Sequence, residues 1–112
     1  MDRHKILKHI EDYGFVVSDL KDNHLKSYHC INNLSNSEFI LACVNDDLNV
    51  VNISEKSIPI VYLIEVKDRI NEVIKLVESD EHKDKIFLIY DEEEEIEFFL
   101  KDLWNIIIEL NR

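Results

Sequence analysis

Apolar positions in residues 2–13 recur at helical spacing. Ile6, Leu7, Ile10 and Tyr13 share one stripe, and Gly14 follows as a left-handed stop. The period then shortens. Phe15-Val16-Val17 reads as a short strand, residues 18–27 are polar without a clear period, and Tyr28–Ile31 forms a candidate second strand ended by Asn32-Asn33-Leu34-Ser35-Asn36. In Glu38–Val44, Phe39, Leu41 and Cys43 point one way and Ile40, Ala42 and Val44 the other. Both faces of that strand are apolar, so both must be covered. Asn45-Asp46-Asp47 is a turn, from which Leu48–Ile53 is expected to return as a hairpin partner; Asn49 and Asn52 place it nearer an edge. Pro59 opens the next strand, Ile60–Ile64, where a missing N–H is tolerated.

From Val66 the period becomes helical. Val66, Ile70, Val73, Ile74 and Val77 fall on one stripe, with Lys67, Asn71, Lys75 and Glu78 outside it. Ser79–Lys85 reads as a charged loop, and Ile86–Tyr90 as a second two-faced strand. Asp91 caps a last helix whose first turn holds Glu92, Glu93 and Glu94, where the helix dipole favours anions. The pattern predicts an α/β fold bordering on α+β, with a single mixed sheet of four to five strands in the order α-β-β-β-β-α-β-α. Strand–helix–strand connections cross over in a right-handed sense, so the C-terminal βαβα portion should be parallel. Helices are expected on both faces of the sheet.

Residues 1–112 are one domain's length, enough to bury a core without staples. An apolar fraction of 46% and a charged fraction of 33% describe a folded chain. One glycine leaves no material for a glycine-rich phosphate loop, which excludes the nucleotide-binding motifs that need one. The formal charge is −11, from 24 acids and 13 bases. The bases do not cluster: no Lys or Arg occurs between Lys26 and Lys56. Direct binding to a nucleic-acid backbone is therefore not expected. Residues 86–112, with eight acids and two bases, carry −6 of the total. Basic proteins or metal ions suit such a surface.

Cys30 and Cys43 sit in apolar, strand-like settings, the usual state of buried thiols in a reducing cytoplasm, although sequence alone leaves a disulfide open. No signal peptide is expected after the N-terminal Met1-Asp2-Arg3-His4-Lys5, and the longest apolar run, Ile58–Ile64, is too short to span a bilayer.

Four sets of residues carry candidate chemistry. The acids Asp91, Glu92, Glu93, Glu94, Glu95 and Glu97 project around a helix in steps of about 100°. One or two acids satisfy a helix dipole; a run of five exceeds that need and can stand in for phosphates in a basic protein's groove. Phe98, almost opposite the buried stripe of Ile96, Phe99, Leu100, Leu103, Trp104, Ile107 and Leu110, is an aromatic ringed by charge and a candidate interface anchor. His24, His29, Cys30 and Cys43 fit no compact zinc spacing, and His29 and Cys30 point to opposite faces of a strand. Finally, Glu65 and Lys67 end a buried strand, and Asp47 begins the strand before it. Asp47 and Glu65 could hold Mg²⁺ while Lys67 orients the attacking water.

This last set, with a helix, a hairpin whose second strand begins with Asp, a strand ending in Glu-x-Lys, a helix and a strand, resembles the PD-(D/E)XK nuclease fold over residues 2–90. Tyr13-Gly14-Phe15-Val16-Val17 is similar to that family's entry into its sheet. The resemblance implies Mg²⁺-dependent phosphodiester cleavage, or a relative that has lost it. The chain departs from the pattern in lacking a proline or glycine beside Asp47 and in having no basic groove for a polyanion.

Charge and the lack of a compelling catalytic set favour recognition over bond breaking. The leading expectation is a small acidic inhibitor or immunity-type protein, cytoplasmic, free of cofactor and metal, that occludes a basic, nucleic-acid-acting partner and works as a monomer or homodimer. The nuclease-like enzyme is the first alternative and an acidic, dimeric secretion-type chaperone the second.

Overall fold

The computed structural model describes residues 3–20, 26–45, 47, 48, 50, 58–82, 84–91, 101, 102 and 105. Helix α1 (Arg3–Asp12) leads into strands β1 (Val16–Leu20), β2 (Lys26–Asn32), β3 (Ser37–Cys43) and β4 (Ile60–Glu65). Helix α2 (Ile70–Glu78) and a single 3-10 turn (Asp80–His82) then precede strand β5 (Ile86–Tyr90). The five strands form one mixed sheet in the order β1-β2-β3-β4-β5, which makes the fold α/β. β2 runs antiparallel to both its neighbours, while β3, β4 and β5 are parallel.

Alternation along each strand sorts the side chains onto two faces. Cys30, Phe39, Leu41, Val61, Leu63, Leu88 and Tyr90 share one face with Phe15, and α1 lays Ile6 and Ile10 onto it. Phe15 and Phe39 meet there edge to face, ring centroids 5.3 Å apart. Ala42 and Tyr62 form a smaller core on the other face, joined by Val44, Val50, Ile60 and Phe87. Val50 places part of the β3–β4 connection over this second face. His82 packs its ring edge-on against Phe87, so the chain returning from α2 lies on the same side. Both faces are therefore covered by helical or connecting chain, as two-faced strands require.

The stripe of α1 and its stop are as the pattern predicts. Ile6 and Ile10 are buried, and Gly14 adopts φ +95° with its N–H on the Glu11 carbonyl. A side chain there would meet Asn32 Nδ2 at 2.9 Å. Asn32 is itself buried and ties three segments together. Its Nδ2 donates to the Tyr13 carbonyl at 3.0 Å, and its Oδ1 accepts from Leu34 N–H at 3.0 Å and Ser35 N–H at 3.2 Å. The turn from α1 and the β2–β3 turn are thus held by one side chain.

Four expectations are corrected. The hairpin between Glu38–Val44 and Leu48–Ile53 does not form, because β2 and β4 already occupy both edges of β3. Residues 48 and 50 are not in a strand, and 49 and 51–53 lie outside the described residues. β1 and β2 extend further than their apolar cores, through Asp19-Leu20 and from Lys26, because cross-strand pairing carries polar residues along. The stripe assigned to the second helix is rotated. Val66 precedes α2, Val73 is fully buried, and Ile70 and Ile74 are 50% and 42% exposed. The charged segment 79–85 also contains a buried residue, His82.

Candidate functional site

β3, β4 and β5 all deliver their carboxyl ends to the same edge of the sheet. β3 runs out into the Asn45–Leu48 turn, closed by the Leu48 N–H on the Asn45 carbonyl at 2.9 Å, and Asp47 is exposed there. β4 ends at Glu65. Val66 stays buried because its N–H continues the ladder to the Tyr90 carbonyl of β5 at 2.9 Å. The chain then turns through two successive left-handed residues, Lys67 (φ 47°) and Asp68 (φ 62°). Neither is glycine, so each costs about 1–2 kcal/mol of backbone strain. Arg69 offsets it. Its guanidinium group donates from Nη2 to the Glu65 carbonyl at 3.0 Å and from Nε to the Val66 carbonyl at 3.2 Å, and its own N–H bonds the Val66 carbonyl at 2.9 Å.

That turn brings Glu65 and Lys67 together. Lys67 Nζ lies 4.0 Å from Glu65 Oε2, with the two side chains 47% and 21% exposed. At that separation and exposure the attraction is worth no more than about 1 kcal/mol. Asp47 and Asp91 follow the neighbouring strands β3 and β5, and both are exposed. Among the described residues, no group of three or more His, Cys, Asp or Glu side chains is placed to hold a metal ion. The order β3-β4-β5 also advances in one direction. Open α/β sheets form their ligand crevice where strand order reverses, and these parallel strands contain no such reversal.

Of the residues selected for partner binding, Asp91 sits in an exposed bend directly after β5. Glu92, Glu93, Glu94, Glu95, Glu97 and Phe98 lie outside the described residues. Lys101, Asp102 and Asn105 are helical and exposed. The zinc candidates do not converge as a set. His29 Nε2 is bonded to Glu38 Oε2 at 2.9 Å on one face, whereas Cys30 and Cys43 belong to the opposite face, and His24 lies outside the described residues. Both cysteines are free thiols. Burial pushes the Cys30 thiol up to about 12, so it is neither a nucleophile nor a ready metal ligand.

His82 has no counterpart among the sequence candidates. It is 7% exposed, and its Nδ1 has no hydrogen-bond partner among the described residues. It is surrounded in sequence by Asp80, Glu81, Lys83, Asp84 and Lys85, a context that gives no sign of burial.

Comparison of the chain with protein-family models, with curated proteins and with solved structures finds no match in any of the three. Among the described residues no helix is long and apolar enough to cross a membrane.

Proposed function

We propose that the protein is a small acidic binding module, of the inhibitor or immunity type, that occludes a basic, nucleic-acid-acting protein. The observation that carries this reading is where the acid run starts. It begins at Asp91, exposed at the end of a strand whose last residue, Tyr90, is only 4% exposed and hydrogen-bonded into the sheet. Consecutive carboxylates can offer Lys and Arg side chains a phosphate-like array. They also steer encounter through long-range attraction. Free thiols at Cys30 and Cys43 suit a reducing compartment such as the cytoplasm.

The test is to isolate the partner by affinity from native host cells and measure association of the purified pair. Glu93→Lys combined with Glu94→Lys should slow association by roughly tenfold or more, and raising salt from about 50 to about 500 mM should slow it further. Binding indifferent to both changes refutes the electrostatic mechanism.

A second reading is supported by one observation: Glu65 and Lys67 meet at the end of a central parallel strand, and Asp47 follows the strand beside it. In that reading Asp47 and Glu65 hold Mg²⁺ and Lys67 orients a water for phosphodiester hydrolysis. Calorimetric titration with Mg²⁺ and plasmid cleavage by the parent and Lys67→Ala chains decide it. Neither heat nor cleavage in the parent chain removes this alternative.

A further inference from the structure

The sheet has two outer edges, and their surroundings differ in charge. Residues 1–37 contain five acids and five bases, so the whole of the −11 belongs to residues 38–112. β1 lies at the neutral end of the sheet. β5 lies at the other, within a segment, 80–97, that holds nine acids and two bases.

The hydrogen-bond pattern fixes which backbone groups of β1 point outward. Ile40 N–H donates to the Pro59 carbonyl, so Ile40 turns its backbone toward β4, and Phe39 and Leu41 turn theirs toward β2. Their partners Cys30 and Tyr28 answer them. His29 and Ile31 therefore face β1, where they pair with Ser18 and Val16. Alternation leaves Val17 and Asp19 with N–H and C=O directed away from the sheet. Among the described residues the strand carries little of the usual edge protection, its one charged side chain being Asp19. Val16–Leu20 contains no proline, lysine or bulge, and Val16 is 63% exposed.

We propose that β1 is the self-association edge of this protein, pairing antiparallel with β1 of a second copy about a two-fold axis through Ser18. That register pairs all five residues: Val17 exchanges both backbone hydrogen bonds with Asp19 of the second copy, Val16 lies opposite Leu20, and Ser18 opposite Ser18. It opposes no Asp19 directly to its own copy. The result joins the five described strands of each copy into one continuous sheet with the acidic ends farthest apart. Self-pairing through β5 would instead bring together two segments of like charge, each with a net −7. The inference does not depend on the acid run binding a partner. It rests on an edge that is neutral and, among the described residues, unpaired, in an otherwise anionic chain.

The test is light scattering across a concentration series, together with cysteine scanning under mild oxidation. The mass should rise toward twice the 13.3 kDa of one chain as concentration increases. It should do so no less in high salt, unlike binding to a basic partner, so the two proposals fail separately. In this register the Ser18 residues face each other across a non-hydrogen-bonded pair, at about 4.5 Å between Cα atoms, within disulfide range. Ser18→Cys should therefore cross-link efficiently and Val16→Cys at least tenfold less. Asp19→Pro, which removes an outward N–H at an exposed position, should abolish dimerisation; circular dichroism checks that it still folds. A mass of one chain at every concentration overturns the proposal. So does cross-linking that is equal at positions 16 and 18.

Discussion

Asn32→Ala removes three hydrogen bonds from a site that is 3% exposed: one to the Tyr13 carbonyl and two from the Leu34 and Ser35 N–H groups. A net contribution of about 1 kcal/mol per bond gives a loss of about 3 kcal/mol. For a domain of this size, stable by about 6–17 kcal/mol, that is a substantial fraction. In urea unfolding with a slope of about 2 kcal/mol/M, the midpoint should fall by about 1.5 M. Gly14→Ala attacks the same knot from the other side. The positive φ costs about 1–2 kcal/mol, and the new Cβ, 2.9 Å from Asn32 Nδ2, pushes the amide off its carbonyl. The single substitution should cost about 2–3 kcal/mol. In the Asn32→Ala background that second component vanishes, so the double mutant should be about 1 kcal/mol less destabilised than the sum. A loss below about 1 kcal/mol for Asn32→Ala, or strict additivity in the cycle, refutes the claim that this side chain joins the two turns.

Cys30 carries a pH dependence of definite sign. Its thiol is raised from 9.0 to about 12 by burial, so the folded protein holds a proton that the unfolded chain releases. The associated stability is fully present below about pH 9 and is lost between about 9 and 12, at roughly 1.4 kcal/mol per pH unit. Urea midpoints measured at about pH 8 and about pH 10 check this, and equal midpoints contradict it. Val73→Ala, at a fully buried position of α2, should cost about 2–3 kcal/mol, whereas Ile74→Ala, 42% exposed, should cost less than about 1 kcal/mol. Thermal unfolding that ranked them in the reverse order would mean α2 packs through its other side. Glu38→Gln, which weakens the 2.9 Å pair with a partly exposed His29, should lower stability by less than about 1 kcal/mol in chemical denaturation.

Local chemistry alone determined the parts of this protein whose cause is local. The stripe of Ile6 and Ile10, the Gly14 stop, the two-faced strands at 38–44 and 86–90 and the proline before β4 are each written in a few consecutive residues. So is the separation of charge along the chain. The parallel portion was also legible, because a helix between two apolar strands leaves one practical route back to the sheet. Pairing partners were not. The tract after Asn45 had the turn residues of a hairpin, yet β3 found its neighbours in β2 and β4, a competition among distant segments that no local signal encodes. The orientation of α2 was decided in the same way. Its apolar residues span more of the helix surface than becomes buried, and packing selected Val73 over Ile70 and Ile74. The candidate site divides along the same line. Glu65 and Lys67 are two apart in sequence, but their approach depends on a left-handed turn held by the Arg69 guanidinium group. His82 was hidden among charged neighbours, and only the return of the chain across Phe87 buried it. Sequence sets periodicity and charge because these are sums over near neighbours; tertiary structure sets pairing, burial and convergence because these depend on which distant surfaces compete for the same space.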